Sequence, residues 1–227
     1  MDFARTINEA TPLLLMGLRM TVLTSVISIA IGILVGFLSC MMIISRYRLL
    51  RILAGIYIWV IRGTPMLVQA LTIYFGVPQL IQLVVPGFRL DVFVASIITL
   101  SLNAGAYLSE IFRGGIAAVD AGQSEAARSL GLSSARTMFK VVLPQAVKIA
   151  IPSMVNQFII TIKDTSILSG IGLAELVNKG RVYVGKTYQF FATYSLVAVY
   201  YLVIISILMI VLKQVEKKLN YERKDYR

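Results

Sequence analysis

Five stretches of this 227-residue chain are apolar over the roughly 20 residues a helix needs to cross the hydrocarbon core. They cover about residues 20–45, 52–77, 91–112, 149–171 and 191–212, and predict an all-α polytopic membrane bundle of five transmembrane helices. No linker, internal repeat or second domain is visible, so 1–227 reads as one transmembrane domain. The first span is uncharged and places Thr21, Ser25, Ser28, Gly32 and Gly36 on one helical face. Gly32 and Gly36 have the G-x-x-x-G spacing that lets backbones approach, expected here for packing inside the subunit rather than for dimerisation. The second span is interrupted by Arg62-Gly63-Thr64-Pro65. Pro65 removes a helix hydrogen bond and Gly63 loosens the turn, which predicts a kink or break at mid-membrane.

Two spans carry polar stripes. Ser96, Thr99, Asn103, Tyr107 and Glu110 share a face of the third, and Ser153, Gln157, Thr161, Asp164 and Thr165 share one of the fourth. Facing each other, they would line a hydrophilic path, with Ser96, Thr99 and Ser153 acting as interhelical hydrogen-bond glue. Arg62, Lys163 and Asp164 fall near mid-depth at 1.5 Å per residue. An unpaired charge there costs about 2.5–3.5 kcal/mol, so these must be paired or face a wet cavity. Glu110 and Arg113 fall nearer an inner interface and read as a structural pair.

Between the third and fourth spans, residues 113–148 break the apolar pattern and predict a helical loop. Asp120 is placed to cap a helix, with Gln123 reaching back in a capping box. Gly131 fits the left-handed position that ends that helix. Ser133 then caps a second helix, which Pro144 is expected to close.

The formal net charge of +11 comes from residues flanking the apolar stretches rather than from a block, which is the signature of membrane topology and not of nucleic-acid binding. A lone Cys40 excludes an internal disulfide, and the absence of His excludes Ser-His catalysis and His-ligated metal. Arg46, Arg48 and Arg51, then Arg113, Arg128, Arg136, Lys140 and Lys148, then Lys213, Lys217, Lys218, Arg223, Lys224 and Arg227 mark one side as cytoplasmic. The other side has fewer: Arg5, Arg19, Arg89, Lys179, Arg181 and Lys186. The N-terminus is thus expected outside, the C-terminus inside and the 113–148 loop in the cytoplasm. Asp2 and Glu9 stand where a cleavable signal would be basic, so the first span is expected to be retained.

Residues 180–187, Gly-Arg-Val-Tyr-Val-Gly-Lys-Thr, match the phosphate-loop pattern G-x-x-x-x-G-K-[ST]. That loop needs a buried strand before it and a helix after it. What precedes, 172–179, reads as a short amphipathic turn or helix, so no ATP site is expected in this chain.

Glu125, Ala126, Ala127 and Gly131, followed by Leu143-Pro144, resemble the EAA loop of ABC importer permeases, departing only at Val141, where that consensus prefers Ile. Arg62-Gly63-Thr64-Pro65, Lys163-Asp164-Thr165-Ser166 and Asn103-Ala104-Gly105-Ala106-Tyr107 resemble segments of the polar amino-acid uptake family (histidine, glutamine, arginine and cystine systems). The resemblance covers nearly the whole chain. It implies a permease in a bacterial inner membrane, paired with a second copy or a related permease and fed by an external substrate-binding protein. It also implies a separate ATPase docked on the 113–148 loop, with ATP and Mg on that partner and no cofactor on this chain. The expected substrate path is Arg62, Asn103, Tyr107, Gln157, Thr161, Lys163, Asp164 and Thr165. With Asp164 the only mid-depth acid beside two cations, a neutral or acidic amino acid such as glutamine, glutamate or cystine is expected rather than arginine or lysine. Two alternatives stand at this point. An ion-coupled secondary transporter using Asp164 or Glu110 would show inverted repeats; a membrane enzyme would need a catalytic constellation, and none is found.

Overall fold

In the computed structural model, which describes residues 3–224, the chain folds into ten α-helices with short π and 3-10 turns among them. Asp2 and Arg227, used in the charge reading, lie outside the described residues. Helix α1, Phe3–Ile43, is the spine. It starts well before the expected position 20, because nothing in the polar segment ahead of the apolar run stops a helix; Pro12 is accommodated inside it. Its small-residue face is buried against α5, Val92–Ala117. A Cβ on Gly32 would lie 3.2 Å from the Ala104 Cβ, and one on Gly36 2.7 Å from the Leu108 Cβ. The G-x-x-x-G pair therefore serves packing within the subunit, as expected.

The second span is two helices: α2, Arg48–Gly63, and a segment from Met66 that runs as α3, Met66–Leu71, a π turn and α4, Val77–Ile81. The halves meet at 109°, a full break at Thr64-Pro65 rather than a gentle kink. α5 is capped by Asp91, whose carboxylate accepts from the N–H groups of Phe93 (2.8 Å) and Val94 (3.2 Å).

The fourth span begins earlier than expected and reaches its expected end at about residue 171 as a 3-10 turn. Pro144 does not close the second loop helix. The chain passes from α7, Ser134–Thr137, through a π turn, Met138–Val142, directly into α8, Leu143–Asp164. The wider turn solves a proline problem, since Pro144 lacks an N–H and its ring crowds the preceding turn. Leu143, just before it, instead donates to the carbonyl five residues back, on Met138. The same solution appears before Pro78, where Val77 donates to the Thr72 carbonyl. Beyond Asp164 the span ends as a 3-10 turn, Thr165–Ile171, stopped by Gly172 at φ 92°. The fifth span, α10, Phe190–Lys224, runs well past residue 212.

Residues 180–187 lie inside α9, Leu176–Thr187, with Gly180 buried against Val197. Their backbone N–H groups are committed to a helix and cannot cradle phosphate. Apolar clusters tie the bundle together, one around Leu100 and Leu168 and another around Leu14 and Leu176. A third joins Cys40, Leu108 and Ala150, from α1, α5 and α8.

Candidate functional site

The loop between α5 and α8 is built as an exposed, stiff projection. α6, Ala121–Ser129, is capped by Asp120, which accepts from the Gly122 N–H at 2.8 Å. The capping box does not form, because the Gln123 side chain turns to accept from Gln145 Nε2 (3.4 Å), joining α6 to the start of α8. α6 ends in a Schellman motif: Gly131 sits at φ 84°, its N–H bonds the Arg128 carbonyl at 2.9 Å, and Leu132 bonds the Ala127 carbonyl at 3.2 Å. The Ser133 hydroxyl accepts from the Arg136 N–H at 3.5 Å to open α7. Glu125, Ala126, Gly131 and Pro144 are exposed, Leu143 is half-buried, and Ala127 turns inward. Leu130, 84% exposed, stands beside the turn.

Inside the bundle, the break in the second span organises the polar groups. Gln69, a residue the sequence reading passed over, is buried with its Nε2 donating to the carbonyls of Ile61 (2.7 Å) and Thr64 (3.0 Å) and to Thr64 Oγ1 (3.0 Å). Its Oε1 accepts from Asn103 Nδ2 at 3.3 Å. The backbone groups freed by Pro65 are thus satisfied by a side chain, and Asn103 is joined to the break rather than to the fourth-span stripe. The available signal was that Gln69 is the one polar residue in the six-residue helix after Pro65.

Arg62 lies beside Glu110 (3.7 Å) and over the Tyr107 ring (5.3 Å), so its ionic partner is on α5, not Lys163-Asp164 of the fourth span. Glu110 also holds Arg113 at 2.7 Å, the structural pair expected. Ser96 and Thr99 do not bridge helices as supposed; they donate to the carbonyls of Val92 (2.7 Å) and Ala95 (2.8 Å) on their own helix. Ser153 is exposed. Thr161 and Thr165 are buried and donate to the carbonyls of Gln157 (2.9 Å) and Ile162 (2.7 Å). Gln157 is buried, Lys163 exposed, and Asp164 half-buried. Among the described residues the Asp164 carboxylate accepts no hydrogen bond and makes no ion pair within 4 Å.

A second buried acid was missed. Glu175 is fully buried and caps α9, accepting from the N–H groups of Val177 (2.8 Å) and Asn178 (2.6 Å) and from the Tyr201 hydroxyl (3.2 Å). Burial raises its pKa above the ordinary value of 4.5, only partly offset by those donors. Glu is not a favoured capping residue, so its local sequence gave no signal. Among the described residues, no group of three or more His, Cys, Asp or Glu is placed to hold a metal ion.

Residues 28–221 match the binding-protein-dependent transport system inner membrane components. The chain belongs to that family. It is 38% identical to the arginine transport system permease protein ArtQ of Bacillus subtilis, over 96% of this chain and 97% of that one. It is 37% identical to the glutamine transport system permease protein GlnP of Escherichia coli K12, over 92% and 94%. Among solved structures, an amino acid ABC transporter with histidines superposes with a TM-score of 0.89 at 38% identity, covering 96% of this chain and 99% of that one. The methionine ABC transporter MetNI, inward-facing, gives 0.74 at 18% identity over 91% and 96%, a likeness of fold alone. This chain is therefore the membrane permease subunit of an ABC importer and not an enzyme, and the ion-coupled alternative falls away. Membership implies an ATPase subunit and a substrate-binding protein as partners.

Proposed function

We propose that this permease carries a polar amino acid inward across a bacterial inner membrane, with Asp164 receiving the substrate's ammonium group. The observation that carries the reading is the half-buried Asp164 carboxylate, open on the fourth span, while Glu110, the other acid of α5 and α8, is held by two arginines. An intramembrane carboxylate that makes no hydrogen bond or ion pair of its own among the described residues fits a path or a ligand. Asn103, Tyr107, Gln157, Thr161, Lys163 and Thr165 border that path, and Arg62 with Gln69 fixes the broken helix beside it. The names of the relatives, which include arginine and glutamine permeases, support an amino acid as the class of cargo. Their near-equal identities leave the side chain open, and the site chemistry favours a neutral or acidic one, because among the described residues of α5 and α8 no second unpaired carboxylate accompanies Asp164 for a cationic side chain.

The basic residues support an N-terminus outside and a C-terminus in the cytoplasm. On that topology the surface of Glu125, Ala126, Leu130 and Gly131 docks on the ATPase, and Leu143-Pro144 passes its movement into α8 without an intervening joint. A second permease, identical or related, completes the pore.

Asp164→Asn tests the proposal in reconstituted vesicles with the cognate binding protein and ATPase. Uptake should fall about tenfold or more, as loss of a charge-assisted contact predicts, while the ATPase still co-purifies. Unchanged uptake and substrate dependence would make Asp164 structural, and arginine or histidine outcompeting glutamine and cystine would overturn the side-chain assignment.

A further inference from the structure

Away from the transport path, the N-terminal side of the molecule holds a polar cavity of about 250 Å³ where α1, α9 and α10 begin or end. Arg5 and Glu9 line it from α1, Tyr183, Lys186 and Thr187 from α9, and Gln189 from the two-residue connection into α10. Glu9 is engaged from two directions, by Arg5 Nε at 2.8 Å and by the Tyr183 hydroxyl at 3.0 Å. Among the described residues of the lining, Arg5 and Lys186 against Glu9 leave one positive charge in excess. Gln189 immediately precedes α10, whose first-turn N–H groups have no partner inside the helix and add partial positive charge on that side. The Tyr183 and Thr187 hydroxyls already donate to Glu9 and to the Tyr183 carbonyl, so the cavity offers the Lys186 ammonium and the Gln189 amide as donors suited to one anionic group.

Its surroundings say what carries that group. Phe3 and Ile7 (45% and 47% exposed) stand on one flank, and Tyr188, Phe190 and Phe191 (77%, 57% and 62%) on the other. Phe3 and Phe191 meet edge to face at 6.1 Å. Aromatic side chains gathered where a polar rim meets apolar helices mark the headgroup level of a bilayer. From that rim exposed apolar side chains continue along α1 as Leu15 and Met16, and along α10 as Val199, Leu202 and Val203.

We propose that this cavity binds the phosphodiester headgroup of an anionic phospholipid in the leaflet on the N-terminal side, with the acyl chains lying against α1 and α10. A single excess positive charge balances one phosphodiester, and the two apolar helix faces supply what a free anion or an acidic protein loop would not use. Bound there, the lipid fastens the N-terminal turns of α1 to the α9–α10 corner, so headgroup composition governs how firmly the corner is held. The site lies apart from Asp164 and from the coupling loop, and its test does not depend on which substrate the permease carries.

The purified complex of permease and ATPase, delipidated in mild detergent, is titrated with phosphatidylglycerol, phosphatidylcholine or inorganic phosphate. Retained lipid is read by native mass spectrometry and the shift in thermal midpoint is followed in parallel. Phosphatidylglycerol should be retained and raise the midpoint, with phosphatidylcholine weaker and inorganic phosphate without effect. Lys186→Glu should weaken phosphatidylglycerol about tenfold or more, the factor that follows from reversing a charge at the headgroup. Glu9→Gln should strengthen it by removing a negative charge from the lining, and Arg89→Glu, in another exposed loop, should leave it unchanged. Because the two cavity variants move affinity in opposite directions, a general folding defect cannot imitate the pattern. Equal retention in wild type and Lys186→Glu, or an equal response to phosphatidylcholine or to inorganic phosphate, would overturn the proposal.

Discussion

Gln69→Leu removes the side chain that closes the broken span while keeping nearly the same volume. The Gln69 amide nitrogen has two hydrogens for three acceptors, the carbonyls of Ile61 and Thr64 and the Thr64 hydroxyl oxygen, and its oxygen accepts from Asn103. About three bonds are therefore lost, each worth roughly 0.5–1.5 kcal/mol net, with interhelical bonds in membranes averaging about 0.6. Two carbonyls freed by Pro65 are then left in an apolar setting, so the total should reach about 2–3 kcal/mol. Unfolding of the purified permease in increasing sodium dodecyl sulfate measures this directly. The contact to Asn103 is long at 3.3 Å, so the cycle Gln69→Leu, Asn103→Leu should show a coupling of only about 0.6 kcal/mol. Most of the loss would then belong to the break itself. Uptake should fall with stability, because Arg62 approaches Glu110 and Tyr107 from the helix that Gln69 anchors. A loss below about 0.5 kcal/mol, the range of an ordinary surface change, would refute the idea that Gln69 supports the break.

Gly131→Val places a β-branched residue at φ 84° and should uncouple ATP hydrolysis from uptake while the permease still inserts; wild-type uptake alongside normal ATPase activity would argue against the docking surface. Gly36→Val forces a side chain against Leu108 and the Gly105 carbonyl and should cost about 1–3 kcal/mol. Gly185→Ala, in open space on α9, should gain up to about 1 kcal/mol and leave transport intact; lost activity there would revive a phosphate-loop role. Glu175 binds its proton more tightly folded than unfolded, so its contribution to stability falls as pH rises from about the ordinary value of 4.5 through the raised folded value. Glu175→Gln should remove that slope while retaining an acceptor for the cap, as unfolding curves across the acidic range would reveal.

Much of this protein was legible without coordinates because membrane helices write their rules locally. Apolar length marked four helices long enough to cross and the broken one among them, glycine spacing marked the α1 face that packs within the subunit, and Pro65 with Gly63 located the break. Asp120, Gly131 and Ser133 each act within a few residues of themselves, so both ends of α6 and the start of α7 followed from capping chemistry, while the Gln123–Gln145 contact did not. Proline was less transparent. Pro65 ends a helix, whereas Pro144 lies inside a continuous one, and the difference is a π turn that the local residue pattern did not disclose. Partners across the bundle were hidden for the same reason that spans were visible. Depth along a helix can be counted from sequence, but the angle at which two helices cross cannot. Counting depth put Arg62 beside Lys163 and Asp164; the 109° break turned α2 so that Arg62 reached Glu110 and Tyr107 instead. Gln69 and Glu175 became significant only when folding brought Asn103 and Tyr201 to them across separations of 34 and 26 residues. Sequence by itself determined which spans exist and where the second of them breaks. Tertiary structure decided which buried charges neutralise one another, and so which one, Asp164, was left open, because pairing depends on long-range helix contacts that local periodicity does not encode.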